Sequence, residues 1–252
     1  MIGLLRGEYR KLTTTQVWFW LLLGGLALTA LGVVAVILTD GSGGTGTEMN
    51  TPDGQRQLVA LAAEVRVFAL ILGIIGITAE YRHLTVTPSY LATPRRGRVV
   101  AAKLVTYAGV GLAFSVAAIL LVLAIGVPWL AAKDITLSLT SNDIPLVVLA
   151  ALVVTAIYGV LGVGLGALIH NQVGAVVGAL VWMWVAEPLM GVIPGVKAIY
   201  RFLPGAAANA VAQVDSSTSN LLTPWQAGLV LIGYGLLFAW LATRLTIRRD
   251  VT

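Results

Sequence analysis

The sequence has no cysteine and only two histidines, His83 and His170. The first absence excludes a disulfide framework, thiolate metal sites and a cysteine nucleophile. The second leaves too few imidazoles for a His-rich metal site. Charge is scarce as well: Asp, Glu, Lys and Arg make up 11% of the 252 residues, against about 25% in soluble domains. A water-soluble fold of this length cannot clothe its surface with so few charges, and so apolar a chain is not a disordered one. There is no Gly-Lys pair, hence no phosphate-cradling P-loop, and no H-E-x-x-H, G-x-S-x-G or calcium-loop pattern. The chain is therefore expected to have no catalytic residues, cofactor or metal of its own.

What it has is apolar length. Hydrophobic residues make up 58%, and the mean hydropathy is +0.91. A helix crossing a hydrocarbon core of roughly 30 Å needs about 20 apolar residues. Six runs satisfy this, at 17–39, 58–79, 105–127, 145–169, 173–190 and 225–246. They are continuous, without the alternation of barrel strands. The expected fold is an all-α integral membrane protein, one domain over 1–252. The first run is too long for a signal peptide's apolar core, and no small-residue cleavage site follows it. The stretch from Asp40 to Gln55 is rich in Gly, Ser and Thr and reads as a flexible loop.

The net charge is +5, and its distribution gives an orientation. Six spans put both termini on one side. That side carries Arg6, Arg10, Lys11, Arg82, Arg95, Arg96, Arg98, Lys103, Arg244, Arg248 and Arg249, which is 11 of the 16 basic residues. By the positive-inside rule it is cytoplasmic. Eight of the 11 acids fall on the other side. Topology thus accounts for the basic character, and no nucleic-acid partner is expected.

Residues 1–15 read as an amphipathic helix lying on the inner surface, with Ile2, Leu5, Tyr9 and Leu12 on one face and Arg6, Glu8, Arg10 and Lys11 mostly on the other. The inner loop from Glu80 to Lys103 mixes basic residues with Tyr81, Leu84, Val86, Tyr90 and Leu91, a composition suited to docking another protein. Thr93 as N-cap and Pro94 at the first turn can start a helix there. Gly162 and Gly166, and again Gly174 and Gly178, form small-residue pairs that let helices approach closely. Pro188, Pro194 and Pro204 cut the apolar stretch from Glu187 to Pro224 into pieces too short to span, as in re-entrant or interfacial helices. Apart from Glu187 and Arg244 near span ends, Glu64 and Arg66 are the only charged residues within the spans. Spaced by two, they should point to different faces. They are candidates for a substrate path or for pairing with an outer loop, and Glu187 for marking the outer interface.

Three segments together resemble the transmembrane permease of type 2 ABC exporters. Arg6 to Trp20 is similar to the family's elbow helix, in which Glu8, Tyr9 and Lys11 fall. Residues 73–104 match its Glu-Tyr-Arg, Thr, Pro-x-Arg and Lys pattern at Glu80, Tyr81, Arg82, Thr85, Pro94, Arg95, Arg96 and Lys103, with Arg98 between. Residues 201–211 resemble its outer segment, which includes Pro204. Leu84 departs from the glycine common in the family. The resemblance implies a bacterial plasma-membrane protein with cytoplasmic termini, paired with a second permease of the same or another kind. Two separate ATP-binding subunits would dock on residues 80–98 and supply ATP and Mg²⁺ chemistry. The outer segment, 191–223, would act as a lid, and the cargo would be a lipophilic or amphipathic molecule. The competing readings are a stand-alone secondary carrier or channel, which would want intramembrane acids, and a non-transport scaffold or immunity protein.

Overall fold

Where the apolar runs lie, the chain is helical. The structure is a computed structural model that describes residues 2–40, 48–82, 96–169, 171–193, 195–212 and 221–248. Helix α1 spans Ile2–Thr14 and α2 spans Val17–Thr39. Helix α3 (Pro52–Ala60) passes through a 3₁₀ turn (Leu61–Val65) into α4 (Arg66–Arg82). Helix α5 covers Arg96–Ala131 and α6 covers Ile144–Leu168. Helix α7 (Gln172–Val181) runs through a π turn (Trp182–Ala186) into α8 (Glu187–Val192). Two short helices follow, α9 (Lys197–Tyr200) and α10 (Pro204–Ala212), and then α11 (Pro224–Arg248). There is no strand among the described residues.

Six segments are long and apolar enough to cross a membrane: Val17–Thr39, Pro52–Arg82, Gly97–Ala131, Ile144–Leu168, Gln172–Val192 and Pro224–Arg244. This is the architecture of a multi-pass membrane protein. Side-chain placement agrees with it. Leu31, Leu120 and Leu236 are 67%, 62% and 67% exposed, which suits lipid and not water. Thr29, Thr78 and Thr155 are buried, and each hydroxyl donates to the carbonyl four residues back, at 2.9, 2.8 and 2.7 Å. Such bonds satisfy a polar group inside an apolar bundle.

Local chemistry explains where the elements start and bend. Thr51 caps α3 by accepting from Gly54 N at 3.2 Å, with Pro52 in the first turn. The loop expected from Asp40 to Gln55 is therefore shorter, because its last four residues are already helical. Pro188 has no N–H to offer Trp184, and its ring would press on that carbonyl. The π turn just before it absorbs the misfit, with Glu187 N–H donating to Trp182 O. Helix α5 has 36 residues and is about 54 Å long at about 1.5 Å per residue. It therefore outruns the bilayer core, and Lys103 belongs to the same rigid rod as the third span.

Helix α6 sits at the centre, packed on α4, α5 and α11. Its contact with α4 is backbone to backbone. A Cβ on Gly162 would strike Leu70 O, and one on Gly73 would lie 2.5 Å from Gly159 O. The Gly162/Gly166 pair thus packs this chain against itself. The Gly174/Gly178 pair does not: Gly178 has no neighbour within 4 Å, and Gly174 meets only its own cap residue, Asn171. Pro188 does not cut the chain as expected, since it lies inside the fifth span, and the helical pieces beyond that span have four and nine residues. Helix α10 buries Ala206, Ala207 and Ala208 against α11 and α6. Pro194 lies outside the described residues.

Candidate functional site

Two charged clusters stand out, one at each end of α4. Glu80 and Arg66 are fourteen residues apart on this helix, or about 21 Å along its axis, with only apolar residues, Gly and Thr78 between them.

The first cluster joins α1, the end of α4 and the start of α5. Lys103 is 3% exposed, and its ammonium has three donors. All three are used: Glu8 Oε2 at 2.7 Å, Glu80 Oε1 at 3.0 Å and Gly76 O at 3.1 Å. Lys11 Nζ bridges the same two carboxylates, at 2.9 Å to Glu8 Oε1 and 2.7 Å to Glu80 Oε1. Two acids and two bases make the cluster neutral. Burial alone would push the Glu8 carboxyl up, but the adjacent Lys103 ammonium, helped by Lys11, outweighs it and holds the carboxyl below its ordinary value. Lys11 is held above its ordinary value because its bonds to Glu8 and Glu80 outweigh its own burial. Tyr107, one turn beyond Lys103, lies over Gly76, where an added Cβ would meet the Tyr107 hydroxyl.

This arrangement corrects the reading of α1. Glu8, expected with the polar residues opposite the membrane-facing side, is 6% exposed, while Ile2 and Tyr9 are 77% and 61% exposed, as side chains facing lipid would be. The helix turns toward the bundle the side that carries Glu8 and Leu12, because Lys103 offers the carboxylate a partner and lipid can take Ile2 and Tyr9. Tyr81 is half-buried, while Arg82 and Arg98 are exposed. Arg96 opens α5. Thr85, Pro94 and Arg95 lie outside the described residues, as do the proposed Thr93 cap and Leu84.

The second cluster joins the 3₁₀ turn, α4, α8 and α10. Arg66, 5% exposed, donates from Nη2 to Asn209 Oδ1 at 2.7 Å and pairs with Glu64 Oε1 at 3.3 Å. Glu64 and Arg66 therefore meet instead of pointing apart, because they flank a change from 3₁₀ to α geometry. Arg66 also lies 5.7 Å from the centroid of the Tyr158 ring. Glu187 is 2% exposed. Its Oε1 accepts from Gly205 N at 2.7 Å and Ala206 N at 3.2 Å, capping α10. Gly205 is needed there, since a Cβ would lie 2.5 Å from Glu187 Oε2.

Glu64, Arg66 and Glu187 line a cavity of about 240 Å³, and Pro204 lines an adjoining one of about 340 Å³. The four residues singled out for a pathway or gate thus converge at one end of the bundle. Sequence reading missed Asn209, Tyr158 and Tyr107. Asn209 had a signal, as the one amide in the alanine run of α10. Tyr107 had another, one turn from Lys103 on the same helix face. Tyr158, in a continuous apolar span, had none.

Among the described residues, no group of three or more His, Asp or Glu side chains could hold a metal ion. No protein-family model matches the chain, and no curated protein matches it.

Proposed function

We propose that this chain is the membrane-spanning permease subunit of an ATP-driven exporter. Two such chains, or one with a related permease, would pair in a bacterial plasma membrane with their termini in the cytoplasm. Two separate ATP-binding subunits would dock on residues 80–98. The chain would contribute no catalysis of its own. Its cargo would be a lipophilic or amphipathic molecule, moved by alternating access, with residues 191–223 as an outer re-entrant lid.

The observation that carries the reading is the Glu8–Lys11–Glu80–Lys103 cluster. All four residues fall in segments that resemble ABC export permeases, and they tie three elements into one joint. A push on the loop after Glu80 would reach α1 and the long rod of α5 together, because the charges cannot separate without leaving one buried and unpaired. α5 would carry that displacement across the membrane.

The test is reconstitution with the ATPase partner in liposomes, reading hydrolysis and flux in parallel. Glu80→Gln should lower flux per ATP hydrolysed roughly tenfold while hydrolysis persists, and Arg95→Ala should act likewise. Unchanged flux in the double variant would contradict the proposal.

A second reading has one observation in its favour. Glu187 is a buried acid within the fifth span, and a secondary carrier would use such a group to bind its coupling ion. Flux that survives without nucleotide and collapses when the proton gradient is dissipated would select it.

A further inference from the structure

The cavities around Arg66 and Glu187 contain polar atoms that the fold leaves unanswered. Arg66 uses Nη2, yet Nε and Nη1 have no hydrogen-bond partner among the described residues. Glu187 uses Oε1 on the α10 backbone, yet Oε2 has none. Both side chains are more than nine-tenths buried, and both line the 240 Å³ cavity. A buried charged group with unused hydrogen-bonding atoms is costly. In a scaffold such atoms are normally paired, so leaving a donor and an acceptor free in one cavity marks a place for a ligand that supplies both.

The neighbouring cavity supplies the other half. It is lined by apolar groups such as Leu70, Leu161, Leu165 and Phe238, and Met183 borders both spaces. Its volume of about 340 Å³ lies within the range of about 300–1,000 Å³ usual for small-molecule sites. A polar head placed between Arg66 and Glu187 can therefore continue into an apolar body.

Charge narrows the head. One guanidinium stands among two acids, and Glu64 already pairs with it at 3.3 Å, so no net positive charge is left over. A purely anionic head would meet Arg66 only in competition with Glu64. We infer that the two cavities form one binding site for a zwitterionic amphiphile, with its ammonium group on Glu187 Oε2, its oxygen acceptor on Arg66 and its apolar chain against Leu161 and Phe238. A phosphoethanolamine lipid and a soluble amine-bearing zwitterion share this chemistry. The site stands independently of the export reading, since binding is read on this chain alone.

The experiment is a titration of the purified chain in neutral maltoside micelles with two single-chain probes, lysophosphatidylethanolamine and lysophosphatidylglycerol. The zwitterion should bind about tenfold more tightly than the anion. Glu187→Gln keeps an acceptor on Gly205 and Ala206 but replaces Oε2 with a donor, and it should remove that preference. Equal or tighter binding of the anion would overturn the inference, as would an unchanged preference in the variant. The probe comparison needs only the unaltered chain and decides the matter even where the variant fails to fold. Native mass spectrometry separates the sources. A diacyl phosphoethanolamine that copurifies and is displaced by the zwitterionic probe assigns the site to bilayer lipid. Probe binding to a chain that carries no lipid assigns it to a soluble amphiphile.

Discussion

Lys103 is an ammonium nearly closed to solvent with all three donors engaged. Removing it leaves Glu8 and Glu80 with Lys11 as their one counter-charge, so one carboxylate is no longer compensated. Lys103→Met should therefore cost about 3–5 kcal/mol, seen as a lowered thermal midpoint in detergent. Combining it with Glu8→Gln should cost less than the sum of the two single changes. Lys103→Arg should not rescue the fold, since a planar fork cannot reproduce three acceptors around a point charge. The Glu8 carboxyl is held below its ordinary 4.5. Its contribution is therefore fully present above about pH 4.5 and fades as pH falls through the lowered value. Thermal midpoints measured from pH 7 to pH 3 should drop in the native chain and drop less in Glu8→Gln. Residue by residue, the sequence announced the charges but not their partners. Glu8 looked solvent-facing because amphipathic reading assigns every charge to the outside. It has no way to see a lysine 95 positions away.

At the scale of elements, the spans follow from apolar length, and their interruptions follow from particular residues. The six runs were legible because a bilayer imposes one requirement on every crossing helix. Pro204 was legible as the start of a new helix, but Pro188 was not the break it looked, because a π turn carries the fifth span through it to Val192. The 3₁₀ turn at Leu61–Val65 was not legible, because nothing in Leu-Ala-Ala-Glu-Val departs from helix-forming composition. It changes the site, since it brings Glu64 onto Arg66. The glycine pairs were visible, but which of them packs was not. Gly162 lies against the Leu70 backbone while Gly178 has open space around it. Gly162→Ala should force α6 from α4 and cost about 1–3 kcal/mol, whereas Gly178→Ala should leave the stability within about 0.5 kcal/mol of native. Equal effects from the two substitutions would mean that the α4–α6 contact is not as close as described.

At the scale of the whole molecule, the two charged clusters occupy opposite ends of α4, about 21 Å apart along its axis. The helices between them meet through glycine and apolar side chains. One end is tied to α1 and to the start of α5, while the other encloses the cavities. In the export reading, the first end receives the partner's motion and the second end opens or closes on cargo. The overall membrane character was readable from composition alone. The convergence of Glu64, Arg66, Glu187 and Asn209 was not, since it depends on how α8 and α10 fold back onto α4.

The most direct measurement of the central claim is purification of the tagged chain from membranes of its native host in mild detergent, followed by mass spectrometry of what accompanies it. The account predicts a P-loop ATPase in equal amount, lost when residues 80–98 are replaced by a Gly/Ser linker while the chain remains folded. A folded, dimeric chain without any ATPase would contradict it, and the coupling role given to Glu80 and Lys103 would fall with it.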